Sequence, residues 1–191
     1  VPPAERAETI DPADFDRERL ATAIFFETNR VRESLGLRRL RAFPRLQNAA
    51  QLQSTMNALR GTAVHDNPLR GRRDVHARIA YENIRAGAAA ENVLFGPIRT
   101  GPPGTRIYAK RDETGRWERF DGATHEPLAW PSYGELAERL VQGWLDSPSH
   151  RVNLLSPEFS HLACAVMIAP VLNGAVNVYA TQVFLRPRRR E

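Results

Sequence analysis

Apolar side chains recur along this chain with two different periods, and the change of period divides it. Leu20, Ile24, Thr28, Val31 and Leu35 follow one another at steps of three and four up to Gly36. That spacing predicts a long amphipathic helix, opened by Asp11-Pro12. Pro44 opens a second helix in which Leu46, Ala49, Leu52, Met56 and Leu59 form the apolar stripe, with Gly61 as its C-terminal cap. Arg72 to Arg85 reads as a third, shorter helix ended by Gly87. Helical spacing returns after Pro131, with Leu136, Leu140 and Trp144 every four residues, until Ser147-Pro148 stops it. Leu162 to Ala169 and Ala175 to Phe184 are strand-like runs around a turn containing Asn173-Gly174, a strong short-range hairpin signal. Helices first and an antiparallel pair last predict an α+β fold with helices packed on a sheet.

Residues 96–131 interrupt this order. Glycine and proline cluster at 96, 97 and 101–104, and two short runs, Thr105 to Arg111 and Trp117 to Phe120, flank an Asp112-Glu-Thr-Gly115 turn. They predict a hairpin-like insertion. Its aromatics, Tyr108, Trp117, Phe120 and Trp130, suit either a stacking surface at the rim of a site or a small satellite core.

Composition narrows the picture. With 191 residues, 42% apolar and 26% charged, the chain suits one domain and excludes a disordered or collagen-like one. A domain of this size buries roughly 70% of its unfolded surface, so it needs neither metal nor disulfide to stay folded. Leu162 to Leu172, eleven positions including Pro170, is the longest run without strongly polar residues. That is well short of the ~20 that span a bilayer, so no transmembrane helix is expected. Cys164 is the only cysteine, which rules out an intramolecular disulfide and thiol clusters; within its apolar run it reads as an inert core residue. The start at Val1-Pro2-Pro3 without methionine is expected of a trimmed, exported chain.

The net charge of +5 comes from 26 arginines and a single lysine, Lys110, scattered rather than gathered on one element with aromatics between them. Sequence-specific nucleic-acid binding is therefore not expected. Residues 1–18 carry six acids against two arginines, and Arg186-Pro-Arg188-Arg189-Arg190 is a basic tag. The tag is expected to be a solvated terminus, with peripheral contact to anionic lipid or cell-wall polymer as the functional alternative.

Three polar residues stand out by position. His65 follows the second helix in Ala63-Val-His-Asp-Asn-Pro68, Glu91 sits in the apolar stretch Ala88 to Phe95, and His150 lies in Ser147-Pro-Ser-His-Arg151. A carboxylate among alanines is costly unless paired, so Glu91 demands an imidazolium, a metal or backbone N–H groups. Gln182 shares strand parity with Val178 and Phe184 and reads as a structural clamp near the same place, whereas His76, His125 and His161 read as surface or capping residues. Ser147 and Ser149 flank His150, but no Gly-x-Ser-x-Gly elbow exists, and they read as helix-end residues, Ser149 capping the turn that follows.

These residues belong to a series of pieces in order: Asn29-Arg30, Leu35-Gly-Leu37 with Leu40, His65, Ala90-Glu-Asn-Val93, Trp144, Ser147-Pro-Ser-His-Arg151 with Asn153-Leu-Leu155, and Tyr179-Ala-Thr-Gln-Val-Phe184. In them the chain resembles the CAP superfamily of cysteine-rich secretory, antigen and pathogenesis-related proteins, especially its bacterial SCP-like extracellular members. The resemblance implies a three-layer α-β-α sandwich around a central antiparallel sheet. It divides the chain into an N-terminal extension (1–14), a single CAP/SCP-like domain (15–185) with the insertion at about 96–131, and the basic tail (186–191). It also implies an open cleft into which His65, Glu91 and His150 project. Members with a full tetrad have a further acid three residues after the tryptophan, where this chain has Ser147; Asp146 is one step off, a rotation of about 100° on a helix.

Two imidazoles and one carboxylate match the ligand set of an open divalent-metal site, zinc first, and equally a hydrogen-bonded network in the cleft wall. The expected function is a secreted bacterial cleft-based binding module, extracellular or periplasmic, for a cation or a small, lipid-like or cell-envelope ligand. The alternative is a metal-dependent hydrolase of peptide or envelope substrates, with Glu91, His65 and His150 as its catalytic residues.

Overall fold

The computed structural model describes residues 7–102, 104–171 and 174–188. Its elements in chain order are α1 (Arg17–Ser34), β1 (Arg41–Ala42), α2 (Pro44–Arg60), α3 (Val75–Tyr81), β2 (Ala86–Pro97), β3 (Ile107–Arg111), β4 (Trp117–Asp121), α4 (Tyr133–Asp146), α5 (Pro148–Leu155), β5 (His161–Pro170) and β6 (Val176–Pro187). Four strands form one sheet in the order β1-β5-β6-β2, and β3-β4 is a separate hairpin. The long strands pair antiparallel as expected, while the two-residue β1 runs parallel to β5 and makes the sheet mixed.

Strand alternation sorts the sheet's side chains into two cores. Leu162, Cys164 and Val166 of β5, with Val178, Ala180 and Phe184 of β6, pack against α1, α4 and Leu154 of α5. Ala163, Ala165, Val183 and Leu185 pack the other way, against Leu46, Ala49 and Ala50 of α2 and Ile79 of α3. The result is the expected three-layer α-β-α sandwich. Cys164 is 3% exposed and free, and burial pushes its thiol far above the ordinary range, as an inert core residue requires.

Several boundaries differ from the sequence pattern. The first helix starts later than Asp11-Pro12: Asp16 is the N-cap and accepts from the Arg19 N–H at 2.9 Å. The third helix is half the expected length. Asp74 caps it, and it ends by Glu82, where Asn83 takes a φ of +57° and turns the chain into β2, so Gly87 is a strand residue. Residues 7–14 lie against the domain, with Ile10 2% exposed in the main core and Thr9 bridging Ser132. At the other end β6 runs through Pro187; Arg186 lies opposite Ala88 and its guanidinium pairs with Glu158 at 2.9 Å. Arg189 and Arg190 of the basic tag, and Asn173 of the expected turn, lie outside the described residues.

The insertion is the predicted hairpin. Asp112 Oδ1 accepts from the N–H groups of Thr114 and Arg116, and Gly115 takes the left-handed φ of +81° that the turn needs. Tyr108 stacks on Phe120 with 5.3 Å between ring centroids, and Trp117 lies against Gly174 so closely that any Cβ there would collide with it.

Candidate functional site

His65, Glu91 and His150 come from three elements, and each is positioned by polar side chains that the apolar pattern hides. The second helix buries Leu46 and Ala49 as expected, and Ala50 beside them, but its last turns then bury Gln53, Ser54 and Asn57, leaving Leu59 76% exposed. These polar groups hold the loop that follows. Gln53 Nε2 donates to the Val64 carbonyl at 2.6 Å, Asn67 Nδ2 donates to Gln53 Oε1 at 3.1 Å, and the Val64 N–H donates to Asn57 Oδ1 at 3.3 Å. The backbone is thus pinned on both sides of His65. Ser54 bonds the Ala165 carbonyl and Thr181 Oγ1, anchoring the helix to the sheet beneath.

Glu91 lies on β2, the edge strand, opposite Val183, so its side chain faces the α2 and α3 layer. Asn92 faces the other layer, opposite Gln182. There Asn92 Nδ2 donates to the His150 carbonyl (3.0 Å) and to Gln182 Oε1 (3.2 Å), and Asn153 Nδ2 donates to Asn92 Oδ1 (2.9 Å). Gln182 Nε2 in turn donates to Thr28 Oγ1 at 2.8 Å. Gln182 is therefore the clamp it was expected to be, tying α1 and the sheet to the helix that carries His150. Pro148 occupies the first turn of that helix and Ser147, rather than Ser149, is its N-cap residue.

Glu91 is 6% exposed, and both oxygens of its carboxylate have a partner. Oε1 faces His65 Nδ1 at 3.0 Å, and Oε2 is bound by Nη2 of Arg78, a residue of α3 that is itself 1% exposed. The His65 and His150 rings stand with their centroids 6.4 Å apart and their planes at 52°. His65 is exposed, whereas His150 is half-buried and its Nδ1 finds no hydrogen-bond partner among the described residues. All three expected residues thus meet at one place, with Arg78 as a fourth member. In a chain with 26 arginines nothing in the local pattern singles it out; the one signal was that Glu91 needed a counter-charge.

Asp146 does not join this group, since it accepts from Gln142 at 2.7 Å on the exposed side of α4. Nor do His76, which is exposed, His125, which meets Tyr108, or His161, which meets Ser160. Among the described residues no group of three or more His, Cys, Asp and Glu side chains is arranged to hold a metal ion.

A family model described as the cysteine-rich secretory protein family, CAP, matches residues 25–184. The chain belongs to that family. The fold of this CAP domain is similar to that of an extracellular protein containing an SCP domain from Bacillus anthracis, at 21% identity and a TM-score of 0.56 over 94% of this chain. It spans 45% of that protein's length. An outer surface protein of Borrelia burgdorferi is similar over 95% of this chain and 99% of its own, at 13% identity and a TM-score of 0.56. No curated protein matches the sequence. No helix among the described residues is long and apolar enough to cross a membrane.

Electrostatics in this CAP domain give a pH prediction. Burial, and secondarily the charge of His65, push the His150 imidazole below its ordinary range. The unfolded chain then takes up that proton near pH 6.5 while the folded one resists it. Stability is therefore complete above about pH 6.5 and declines as the pH falls through that value. His161, lowered by burial and by Arg41, acts in the same direction. In urea unfolding between about pH 7.5 and 5, His150→Asn should flatten the decline; an unaltered slope would show that His150 is not its source.

Proposed function

We propose that this CAP domain is an exported binding module that holds a divalent cation, zinc first, between the imidazoles of His65 and His150, and through it a small or cell-envelope ligand. The observation that carries this reading is the state of the two rings. Glu91 occupies His65 Nδ1 and so leaves Nε2 as that ring's remaining nitrogen, while His150 keeps a buried Nδ1 without a partner among the described residues. Two imidazoles on one cation at about 2.0–2.1 Å and a tetrahedral angle would have centroids about 5 Å apart. The observed 6.4 Å is a side-chain adjustment away.

A carboxylate behind a histidine is also the usual outer arrangement of a metal-ligating imidazole, fixing the tautomer and raising the ring's basicity. Glu91 suits that role better than the role of third ligand, because Arg78 and His65 already take its two oxygens. Imidazole nitrogens favour zinc, copper or nickel over calcium or magnesium. Bound there, the cation would supply Lewis acidity and open positions for a ligand's donor atoms. Hydrolysis would further call for a carboxylate free to accept a proton from water, and Glu91 is not free. Holding is thus better supported than turnover. Export is supported by the family and by the extracellular and surface proteins that share its fold.

The test is thermal unfolding of tag-free protein with zinc, nickel or magnesium. At a hundred times its dissociation constant a bound ion adds about 2.7 kcal/mol, which raises Tm by roughly 5–10 °C for a domain of this size. Zinc and nickel should produce the shift and magnesium should not, and either His65→Ala or His150→Ala should abolish it. A wild type indifferent to all three ions would overturn the proposal.

A further inference from the structure

Resting on that reading of the site, we infer that Arg78 is a positioning residue, whose guanidinium sets the tautomer of His65 and thereby which ring nitrogen is left to bind. Asp74 caps α3 by accepting from the Ala77 N–H at 2.9 Å, and four residues on Arg78 enters the interior beside Ile79. One arm of its fork, Nη2, binds Glu91 Oε2. The other, Nη1, lies 3.3 Å from the carbonyl oxygen of His65 and 3.4 and 3.5 Å from those of Arg72 and Arg73. The same group therefore holds the acceptor of the His65 ring and the backbone of His65 itself.

The chemical consequence concerns one proton. A neutral imidazole in water favours the Nε2–H tautomer, whose lone pair is on Nδ1. A carboxylate at Nδ1 reverses the preference, because it accepts only from Nδ1–H and does so in a charge-assisted bond. Glu91 can play that part only as a buried anion, and a buried anion with a half-solvated imidazole as its sole partner would be poorly compensated. Arg78, with a side chain at 0% exposure, provides the permanent counter-charge. A planar fork holds the carboxylate and the carbonyl at a fixed separation; the compact ammonium of lysine has donors but no such fixed geometry.

The experiment uses metal-free, 15N-labelled protein at about pH 8, above the ordinary histidine range, and reads each ring's tautomer from its long-range 1H–15N correlations. In the wild type His65 should be predominantly Nδ1–H; a His65 found as Nε2–H overturns the inference without any variant. In Arg78→Gln, which removes the counter-charge, the ratio of Nδ1–H to Nε2–H should fall by about tenfold, the difference between a charge-assisted and an ordinary hydrogen bond. In Arg78→Lys, which keeps the charge without the fork, it should fall by less, as a partial rescue. Trimethylamine N-oxide in every sample keeps the variants folded, and His76, exposed on α3, serves as the unchanged reference. A wild-type ratio in both folded variants overturns the inference. Since no metal is present, failure of zinc to bind would leave this result intact, and a wild-type ratio would leave the binding proposal intact.

Discussion

Glu91→Ala should lower the unfolding free energy by about 3–5 kcal/mol, the usual effect of removing one partner from a buried ion pair. The lost contacts are the smaller part. Arg78 would keep its charge in a place where its side chain is 0% exposed and where its Nε already lacks a partner among the described residues. The same logic predicts recovery. Glu91→Leu combined with Arg78→Met leaves no charge behind, and such replacements by apolar residues are often neutral or stabilising. The double variant should therefore be more stable than either single one. Urea unfolding of the wild type, Glu91→Leu, Arg78→Met and the double variant gives the cycle directly, and a double variant as unstable as the sum of its parts would mean that the pair is not coupled. The double variant should still lose zinc-dependent stabilisation, because His65 would have no acceptor to orient it.

Arg32→Met should cost about as much, for a different reason. Arg32 is 0% exposed, and Nη1 donates to the carbonyls of Leu154 (2.7 Å) and Ser156 (3.0 Å) while Nε donates to that of Arg38 (3.1 Å). Burial lowers its pKa, yet an arginine stays charged at any ordinary pH. It thus places a cation at the C-terminal end of α5, where the helix dipole favours one. Removing it leaves three inward carbonyls without that donor, at about 1–3 kcal/mol each and about 3–5 kcal/mol together if water reaches some of them. Because α5 carries His150, hydrogen exchange over residues 148–155 should accelerate more than over α2. Equal acceleration in both helices would mean that Arg32 supports the domain as a whole and not α5 in particular.

How far the sequence pattern carried depended on what each element had to bury. The fourth helix was legible because Leu136, Leu140 and Trp144 enter the main apolar core beside α1, so helical period and burial coincide. The second helix was legible as a helix but not in its facing. Its final buried positions are Gln53, Ser54 and Asn57, satisfied by the loop around His65 and by the sheet, while Leu59 faces solvent. A pattern that equates buried with apolar misplaces such a stripe. Leu35, the last residue of the first helix's apolar series, is likewise 58% exposed, because that helix turns inward on Asn29 and Arg32 instead. The third helix was overextended because its end was placed at Gly87, whereas Asn83, which also tolerates the left-handed conformation, starts the path into β2.

At the site, the resemblance to the CAP family implied that His65, Glu91 and His150 share a cleft, and a carboxylate among alanines required an imidazolium, a metal or backbone N–H groups as partner. The latter follows from the cost of burying charge, which holds wherever the residue ends up. Which group answers the requirement is a matter of distance in space: Arg78 is thirteen residues from Glu91 along the chain and adjacent only because α3 packs on β2. The engagement of both carboxylate oxygens, the free nitrogen on His150 and the 6.4 Å between the rings likewise arise from elements that the chain order leaves independent. Local patterning can specify helices and strands, since a helix's hydrogen bonds are near in sequence and a strand shows its period of two, but the angle and reach of a side chain across three layers come from packing.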